Sequence, residues 1–345
     1  MSPEKPQLPE VRRFDSSTGV RIYRIACDAF PGLVANIYLL LDAGPPTIVD
    51  AGSGFGNANQ QLLAGLEKVK SEFGEPIGLS DIGRIIITHG HIDHFGGLAF
   101  LHAKAPQAEI AIHELDVRIL TAFEERVAVA SKAIRQFLQQ AGVDPAMLQG
   151  FMDIYGFSKK NVHSLPVART LVDHQELDGL RFIHTPGHCP GQVCIAVGDV
   201  LLSADHVLPE ISPHQAPESI MPYTGLGHYL ESLDKVGRMG GFDLALGGHG
   251  TPIKDVYKRI TEIRQGHQRK LDKILTIFRE SPQPLTIDDV SQKLYTHVKG
   301  FHVLLALEEV AAHVEYLYQH GKLTIANLDQ FQREEIGPIR YVTAQ

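Results

Sequence analysis

The sequence has no stretch approaching the ~18 apolar residues that a membrane-spanning helix needs, so an integral helical membrane protein is not expected. Its first residues, Met1-Ser2-Pro3-Glu4-Lys5-Pro6, are polar and proline-rich and lack the apolar core of a secretory leader, which makes a cytoplasmic location the expectation. Cysteine is scarce: Cys27, Cys189 and Cys194 are an odd count without CxxC spacing, which excludes a disulfide framework and a cysteine-type zinc ribbon. Positive charge is in deficit, with 32 Lys and Arg against 40 Asp and Glu and a formal charge of −8 at pH 7. Such a surface has no general attraction for a phosphate backbone or an anionic membrane. Tandem repeats are also missing. The rest is ordinary for a soluble globular protein, with 43% hydrophobic and 21% charged residues. A length of 345 residues predicts one large domain with an appendage, or two domains.

Histidine is plentiful, with 18 residues, and its placement carries the argument. The apolar run Arg84-Ile85-Ile86-Ile87 leads into Thr88-His89-Gly90-His91-Ile92-Asp93-His94-Phe95-Gly96-Gly97. Three histidines and a carboxylate within six residues, at a strand end and before a small-residue helix start, read as metal ligands. On an extended segment His89 and His91 point to the same side and can share one ion, while Asp93 and His94 turn toward a second. Imidazole with carboxylate suits zinc, iron or manganese, and an imidazole-rich set leans to zinc. The remaining ligands are expected at other strand ends: His188 in Thr185-Pro186-Gly187-His188, Asp205 in Leu202-Ser203-Ala204-Asp205, and His249 in Gly247-Gly248-His249-Gly250. Each has glycine or alanine beside it, so the backbone can turn sharply toward a common centre.

In chain order, residues 1–18 read as a loose arm. Short apolar runs at Val20–Ile25, Asn36–Leu41 and Thr47–Val49 follow as a β-meander closed by Asp50-Ala51-Gly52. The stripe of Leu62, Leu66 and Val69 predicts a helix over Ala58–Phe73. Short strands are expected at Ile85–Thr88 and Glu109–Ile112, and then a helical insertion over 115–157. Strands resume at Thr170–Val172, Leu180–His184, Val193–Val197 and Val200–Ser203, with a helix over Leu226–Val236 and a strand at Leu244–Leu246. This alternation predicts an α/β fold with mixed sheets. From about Asp255 the order becomes helix, helix, helix, two-stranded hairpin, which is that of a winged-helix module. The expected division is an arm over 1–18, a metal-binding domain over 19–256 and a winged-helix-like domain over 257–345.

His89-Gly90-His91-Ile92-Asp93-His94, followed by His188, Asp205 and His249 and preceded by Asp50, resembles the ordered motifs of the metallo-β-lactamase fold over about residues 20–255. The resemblance implies an αββα sandwich with metals at one edge. One metal would take His89, His91 and His188, the other Asp93, His94 and His249, with Asp205 bridging. Aspartate at 205 is similar to glyoxalase II and the broad hydrolase branch, and histidine at 91 departs from the flavodiiron pattern. The C-terminal module resembles the subgroup around beta-lactamase-like protein 2.

The ligand set implies metal-activated water, with two divalent ions, zinc ahead of iron or manganese, as cofactors. Asp93 and Asp50 are the expected catalytic carboxylates, Asp50 by orienting a ligand. Tyr223 and His228 are candidates for touching substrate, as is His113, whereas His184, His206, Cys189 and Cys194 read as structural. Phe123, Phe137, Leu138, Met147 and Phe151 of the insertion suggest a lid lined for an acyl or aromatic substrate. The expected activity is therefore hydrolysis of a small carbonyl ester, a thioester or lactone. An endoribonuclease and an iron-dependent persulfide dioxygenase-like oxidoreductase are the alternatives. Against RNA stands the third helix of the module, which carries Glu308, Glu309 and Glu315, and the scarcity of basic residues beyond Lys159, Lys160, Lys254, Lys258 and Arg259. The expected partner is a small molecule, with no nucleic acid and no membrane, and the module could serve a homodimer.

Overall fold

The computed structural model describes residues 10–157, 162–333 and 337–344, so Lys159 and Lys160 lie outside the described residues. A seven-stranded sheet runs in the order of the chain, β1 (Arg12–Asp15), β2 (Arg21–Phe30), β3 (Leu33–Leu41), β4 (Thr47–Val49), β5 (Arg84–Ile87), β6 (Glu109–His113) and β7 (Arg169–Leu171). Its first four strands are antiparallel and its last three pairings parallel. The intervening helices are α1 (Ala58–Phe73), α2 (Ile92–Phe95), α3 (Leu98–Lys104), α4 (Val117–Thr121), α5 (Phe123–Gln140) and α6 (Pro145–Phe157).

The second sheet joins β8 (Glu176–Leu177), β9 (Leu180–His184), β10 (Val193–Val197), β11 (Val200–Ala204) and, after α7 (Leu226–Met239), β12 (Leu244–Gly247). It is antiparallel except for the β11/β12 pair. Alternation along the strands explains the sandwich. Ile22, Leu40, Val49 and Ile86 of the first sheet meet Phe182, Val193, Ile195, Val200 and Leu202 of the second. Each such side chain, removed from water, contributes roughly 1.5–3 kcal/mol. The outer face of the first sheet, with Ile25, Leu39 and Ile85, is covered by Leu62, Val69, Leu98 and Leu101 of α1 and α3. The layers are thus α, β, β, α, as the resemblance to the metallo-β-lactamase fold implies, with the mixed sheets that the sequence pattern predicts.

The arm is not loose throughout. Arg12–Asp15 pairs with Arg21–Arg24 of β2, although Arg-Arg-Phe-Asp lacks an apolar alternation, because an exposed edge strand needs little more than backbone pairing.

The C-terminal part comprises α8 (Val256–Glu280), α9 (Ile287–Leu294), α10 (Phe301–Gln319), β13 (Leu323–Ile325), α11 (Leu328–Arg333) and β14 (Tyr341–Thr343), with β13 and β14 antiparallel. Asp255 caps α8 by accepting from the Lys258 N–H, and Thr286 and Asp289 form a reciprocal box at the start of α9. Val256, Ile260, Leu307, Val310 and Val314 share one apolar cluster with Phe137, Leu138, Leu148 and Phe151 of α5 and α6, and with Leu233 and Val236 of α7. This corrects the lid expectation. Phe137, Leu138 and Phe151 are spent on that cluster and Phe123 on the outer face of the first sheet, so of the five only Met147 is exposed. The apolar stripe of α5 and α6 faces the C-terminal helices. Among the described residues no helix is long and apolar enough to cross a membrane.

Candidate metal centre

Every expected ligand leaves the C-terminal end of a strand. His89 and His91 follow β5, Asp93 and His94 lie in α2, His188 follows β9, Asp205 follows β11 and His249 follows β12. The parallel pairs β4/β5 and β11/β12 send these ends to one edge of the sandwich. Two residues at the turns are held in the left-handed region despite a Cβ, Asp50 at φ 65° and Ala204 at φ 46°, a local cost of about 1 kcal/mol or more that surrounding bonds must hold in place.

The structure brings all seven residues together. The donor atoms of His89, His91 and His188 lie within 4.8 Å of one another, as do those of Asp93, His94 and His249, and those of His89, His94 and Asp205. Asp205 reaches both sides. Its Oδ2 is 3.7 Å from His188 Nε2 and 3.3 Å from His249 Nε2, and its Oδ1 is 3.5 Å from His94 Nε2. Asp93 Oδ2 stands 3.2 Å from His249 Nε2.

The far side of four of the five rings is engaged, which selects the nitrogen left for the centre, while His91 Nδ1 lies 3.1 Å from His89 Nε2. His188 Nδ1–H donates to the His214 carbonyl at 2.6 Å, and His249 Nδ1–H donates to the Val34 carbonyl at 2.6 Å. His94 Nδ1–H donates to Asp50 Oδ2 at 2.8 Å, and Asp50 also accepts the Thr88 N–H and hydroxyl at 2.8 and 2.9 Å. Since the Thr88 hydroxyl is thus used as a donor, its oxygen accepts from His89 Nδ1, 3.1 Å away. Asp50 therefore holds His94 and the β5 turn. The inward atoms supply the test for a metal: among the described residues, His94 Nε2, His188 Nε2 and Asp205 Oδ1 are buried without a hydrogen-bond partner. Buried polar atoms are normally satisfied, and oriented imidazoles beside ionised carboxylates are the donors a divalent cation requires. The residues fit such ions.

The electrostatics divide the imidazoles: His89 and His91 are held neutral, whereas against burial the carboxylates raise His94 and His249, whose protons an ion would have to displace. Burial, reinforced by the neighbouring imidazoles, holds His89 and His91 well below the usual histidine range, hence neutral. Burial opposes ionisation of Asp93 and Asp205, but His94 and His249 outweigh it, bringing Asp93 to about 2 and Asp205 well below its ordinary value. Burial likewise opposes a charge on His249, yet Asp205 and Asp93 raise it to about 10.

Glycine is needed at Gly248 for space: a Cβ there would lie 2.4 Å from Asp205 Oδ1 and 2.6 Å from His94 Cε1. Gly248→Ala is therefore expected to displace both side chains and weaken metal binding roughly 10- to 100-fold, as judged by chelator competition.

Several functional contacts have no signature in the local sequence. Asp116, completely buried, accepts the Gly90 N–H at 2.9 Å, the Gly191 N–H at 3.1 Å and the Cys189 thiol at 3.4 Å, and so ties the His89–His91 turn to the His188 turn. Burial pushes its carboxyl up to about 6 despite these donors. Its place just past the end of β6 was the available signal. His113 is buried and stacked on His184 with ring centroids 4.0 Å apart, and His184 Nε2–H donates to the Pro190 carbonyl, so both support the fold of the His188 turn. His206 is wholly buried beside Tyr229, and burial lowers it to about 3. Tyr223 is exposed. His228 pairs with Glu218 Oε1 at 3.1 Å and lines a cleft between α7 and α10 with Glu315 and Tyr316; none of the seven lines that cleft.

His267, Glu309 and His313 also gather three candidate donors, but a ring–ring hydrogen bond and a lysine occupy part of the set, leaving His267 Nε2 buried without a partner among the described residues. His267 Nδ1 and His313 Nε2 are 3.0 Å apart in a hydrogen bond, and the Lys270 ammonium sits on Glu309 Oε1.

Comparison with known proteins agrees with this geometry. The chain is 22% identical over 309 residues to the probable metallo-hydrolase YqjP of Bacillus subtilis, covering 85% of this chain and 91% of that one. The crystal structure of the metallo-beta-lactamase family protein TTHA1429 from Thermus thermophilus superposes with a TM-score of 0.74 at 26% identity, over 93% of this chain and 98% of that one. A beta-lactamase domain protein from Burkholderia ambifaria gives 0.75 at 26% identity, over 99% and 97%, so the similarity extends through the C-terminal helices. The family model of the metallo-beta-lactamase superfamily matches residues 30–276, from the end of β2 into α8 and so across all seven residues, and the chain belongs to that superfamily.

Proposed function

We propose that the protein is a dinuclear metal-dependent hydrolase of a small carbonyl ester, a thioester or lactone, with zinc as the expected metal. The observation that carries this reading is Asp205, whose two oxygens face donors of both histidine sets. His89, His91 and His188 would hold one ion and Asp93, His94 and His249 the other, with Asp205 between them. When bound, such a pair supplies a water acidified toward a pKa of ~7 and an electrophile for the substrate oxygen.

The chain's own residues do the rest. Asp50, Thr88 and the carbonyls of His214 and Val34 fix the tautomers of His94, His89, His188 and His249, so those inward nitrogens need no reorganisation during turnover. Asp93 is the carboxylate on hand to receive the proton of the attacking water. Tyr223 and His228 stay in this reading only as candidates for touching substrate, since His228 is engaged by Glu218 and the cleft it lines holds none of the seven.

Aspartate at 205 supports a place in the glyoxalase II-like branch, and the element order of 257–345 supports a winged-helix-like module of the kind in the beta-lactamase-like protein 2 subgroup. The helix in the recognition position, α10, is not free for a nucleic acid groove: Leu304, Leu307, Val310, Ala311 and Leu317 are buried, and so is Glu309. A small-molecule substrate is favoured accordingly. The test is metal analysis of protein purified without added metal, followed by assays on thioesters, lactones and single-stranded RNA. About two equivalents of divalent metal, cleavage of a thioester or lactone, loss on chelation and recovery with zinc are expected. Cleavage of RNA alone would overturn the reading, as would one iron with oxygen-dependent consumption of a persulfide.

A further inference from the structure

The stretch from His206 to Gly225 begins beside Asp205 and ends with the Gly225 N–H on the carbonyl of Gly187, next to His188. Both of its ends belong to the metal edge. Its middle is gripped from outside by the C-terminal helices. Arg259 of α8 donates to the carbonyls of Leu208 and Ile211 at 2.7 and 3.0 Å. Glu308 of α10 accepts from His214 Nε2 at 2.8 Å, and Glu309 accepts the Gln215 N–H at 2.9 Å while its other oxygen takes the Lys270 ammonium. About two turns further along the same face of α10, Glu315 accepts the N–H groups of Glu218 and Ser219 at 2.7 and 3.1 Å. These three carboxylates look like a solvated acidic face in the sequence, yet each is spent on this one loop.

What the loop delivers to the centre is a single atom. The His214 carbonyl, 2.6 Å from His188 Nδ1, fixes the tautomer and plane of that ring and leaves Nε2 facing Asp205. Glu308 and Glu309 hold the ring of His214 and the next amide, the two groups that flank this carbonyl. We propose that the C-terminal helices are a positioning element of the metal centre, with Glu308 and Glu309 of α10 fixing His214 and Gln215 so that His188 keeps Nε2 directed at its ion. The inference rests on the dinuclear reading given above. A buried carboxylate shared between an ammonium and a backbone amide costs desolvation that an apolar residue would avoid, so its retention fits a need for placement beyond packing.

The test is equilibrium binding of Co2+ and Zn2+ to the metal-stripped full chain, by chelator competition and by the visible spectrum of the cobalt form. In Glu308→Ala/Glu309→Ala, one of two binding steps is expected to weaken roughly 10- to 100-fold with an altered cobalt spectrum, while the other step is unchanged. Val310→Ala removes packing from the wholly buried core face of α10 and leaves the carboxylates in place. It is expected to lower the melting temperature and keep both affinities. Should the double variant fail to fold, His214→Ala and Glu308→Ala decide, each expected to weaken the same step. Wild-type affinities in the carboxylate variants at a lowered melting temperature would overturn the proposal, as would an equal loss in Val310→Ala. A wild-type chain that binds no metal would overturn the dinuclear reading itself.

Discussion

Under the proposed dinuclear ester hydrolysis, Asp205→Asn is expected to lower kcat/KM by about three orders of magnitude and to leave at most one tightly held metal. The reasoning is electrostatic. Of the seven residues at the edge only Asp93 and Asp205 carry negative charge, and only Asp205 approaches both sets, at 3.3–3.7 Å from His94, His188 and His249. An asparagine of the same size keeps the shape but removes half of the carboxylate charge that the two proposed ions would share. It also turns an NH2 group toward a nitrogen that must act as an acceptor. Losing the partner of a buried charge costs ~3–5 kcal/mol, and ~4 kcal/mol on a barrier is about a thousandfold. Elemental analysis beside steady-state kinetics checks both parts. Full metal content with near-normal kcat/KM would show that Asp205 serves one side only.

How much of this centre is legible in the sequence follows from how each residue reaches it. The seven residues are legible because each stands one to a few positions past a short apolar run or in the turn itself, with Gly90, Gly187, Ala204 or Gly248 alongside, so local pattern and chemistry coincide. The layers are legible in part: the short apolar runs state only that strands are there, the layer order rests on the resemblance of the ligand motifs, and the stripe of Leu62 and Val69 states which face of α1 is covered. Pattern does not state what covers it. The apolar residues of 115–157 suggest a substrate lid, whereas the C-terminal helices claim Phe137, Leu138 and Phe151. Charge has the same ambiguity. Glu308, Glu309 and Glu315 form an acidic helix face by sequence, and only the approach of a loop some ninety residues earlier turns them into acceptors for Gln215, Glu218 and Ser219.

Asp116 shows the same limit most clearly, and its removal carries the second large effect. Asp116→Ala is expected to destabilise the fold by about 3–5 kcal/mol, since it strands the Gly90 and Gly191 N–H groups, each worth roughly 1–3 kcal/mol when buried without an acceptor, together with the weaker Cys189 thiol. The loss is not confined to stability. Gly90 lies between His89 and His91, and Gly191 closes the turn that carries His188, so one carboxylate sets the distance between the residues assigned to the first ion. The variant should therefore lose affinity for that ion ahead of the one assigned to Asp93, His94 and His249. Asp116→Asn retains one acceptor oxygen and turns an amide NH2 toward a donor, so it should fall between the alanine variant and the wild type in both measures. Denaturant unfolding of the metal-loaded chain, paired with chelator competition, separates the two effects. A large loss of stability with equal weakening of both ions would mean that Asp116 supports the edge as a whole. Selective loss of one ion would mean that it holds the His89–His91 and His188 turns in register.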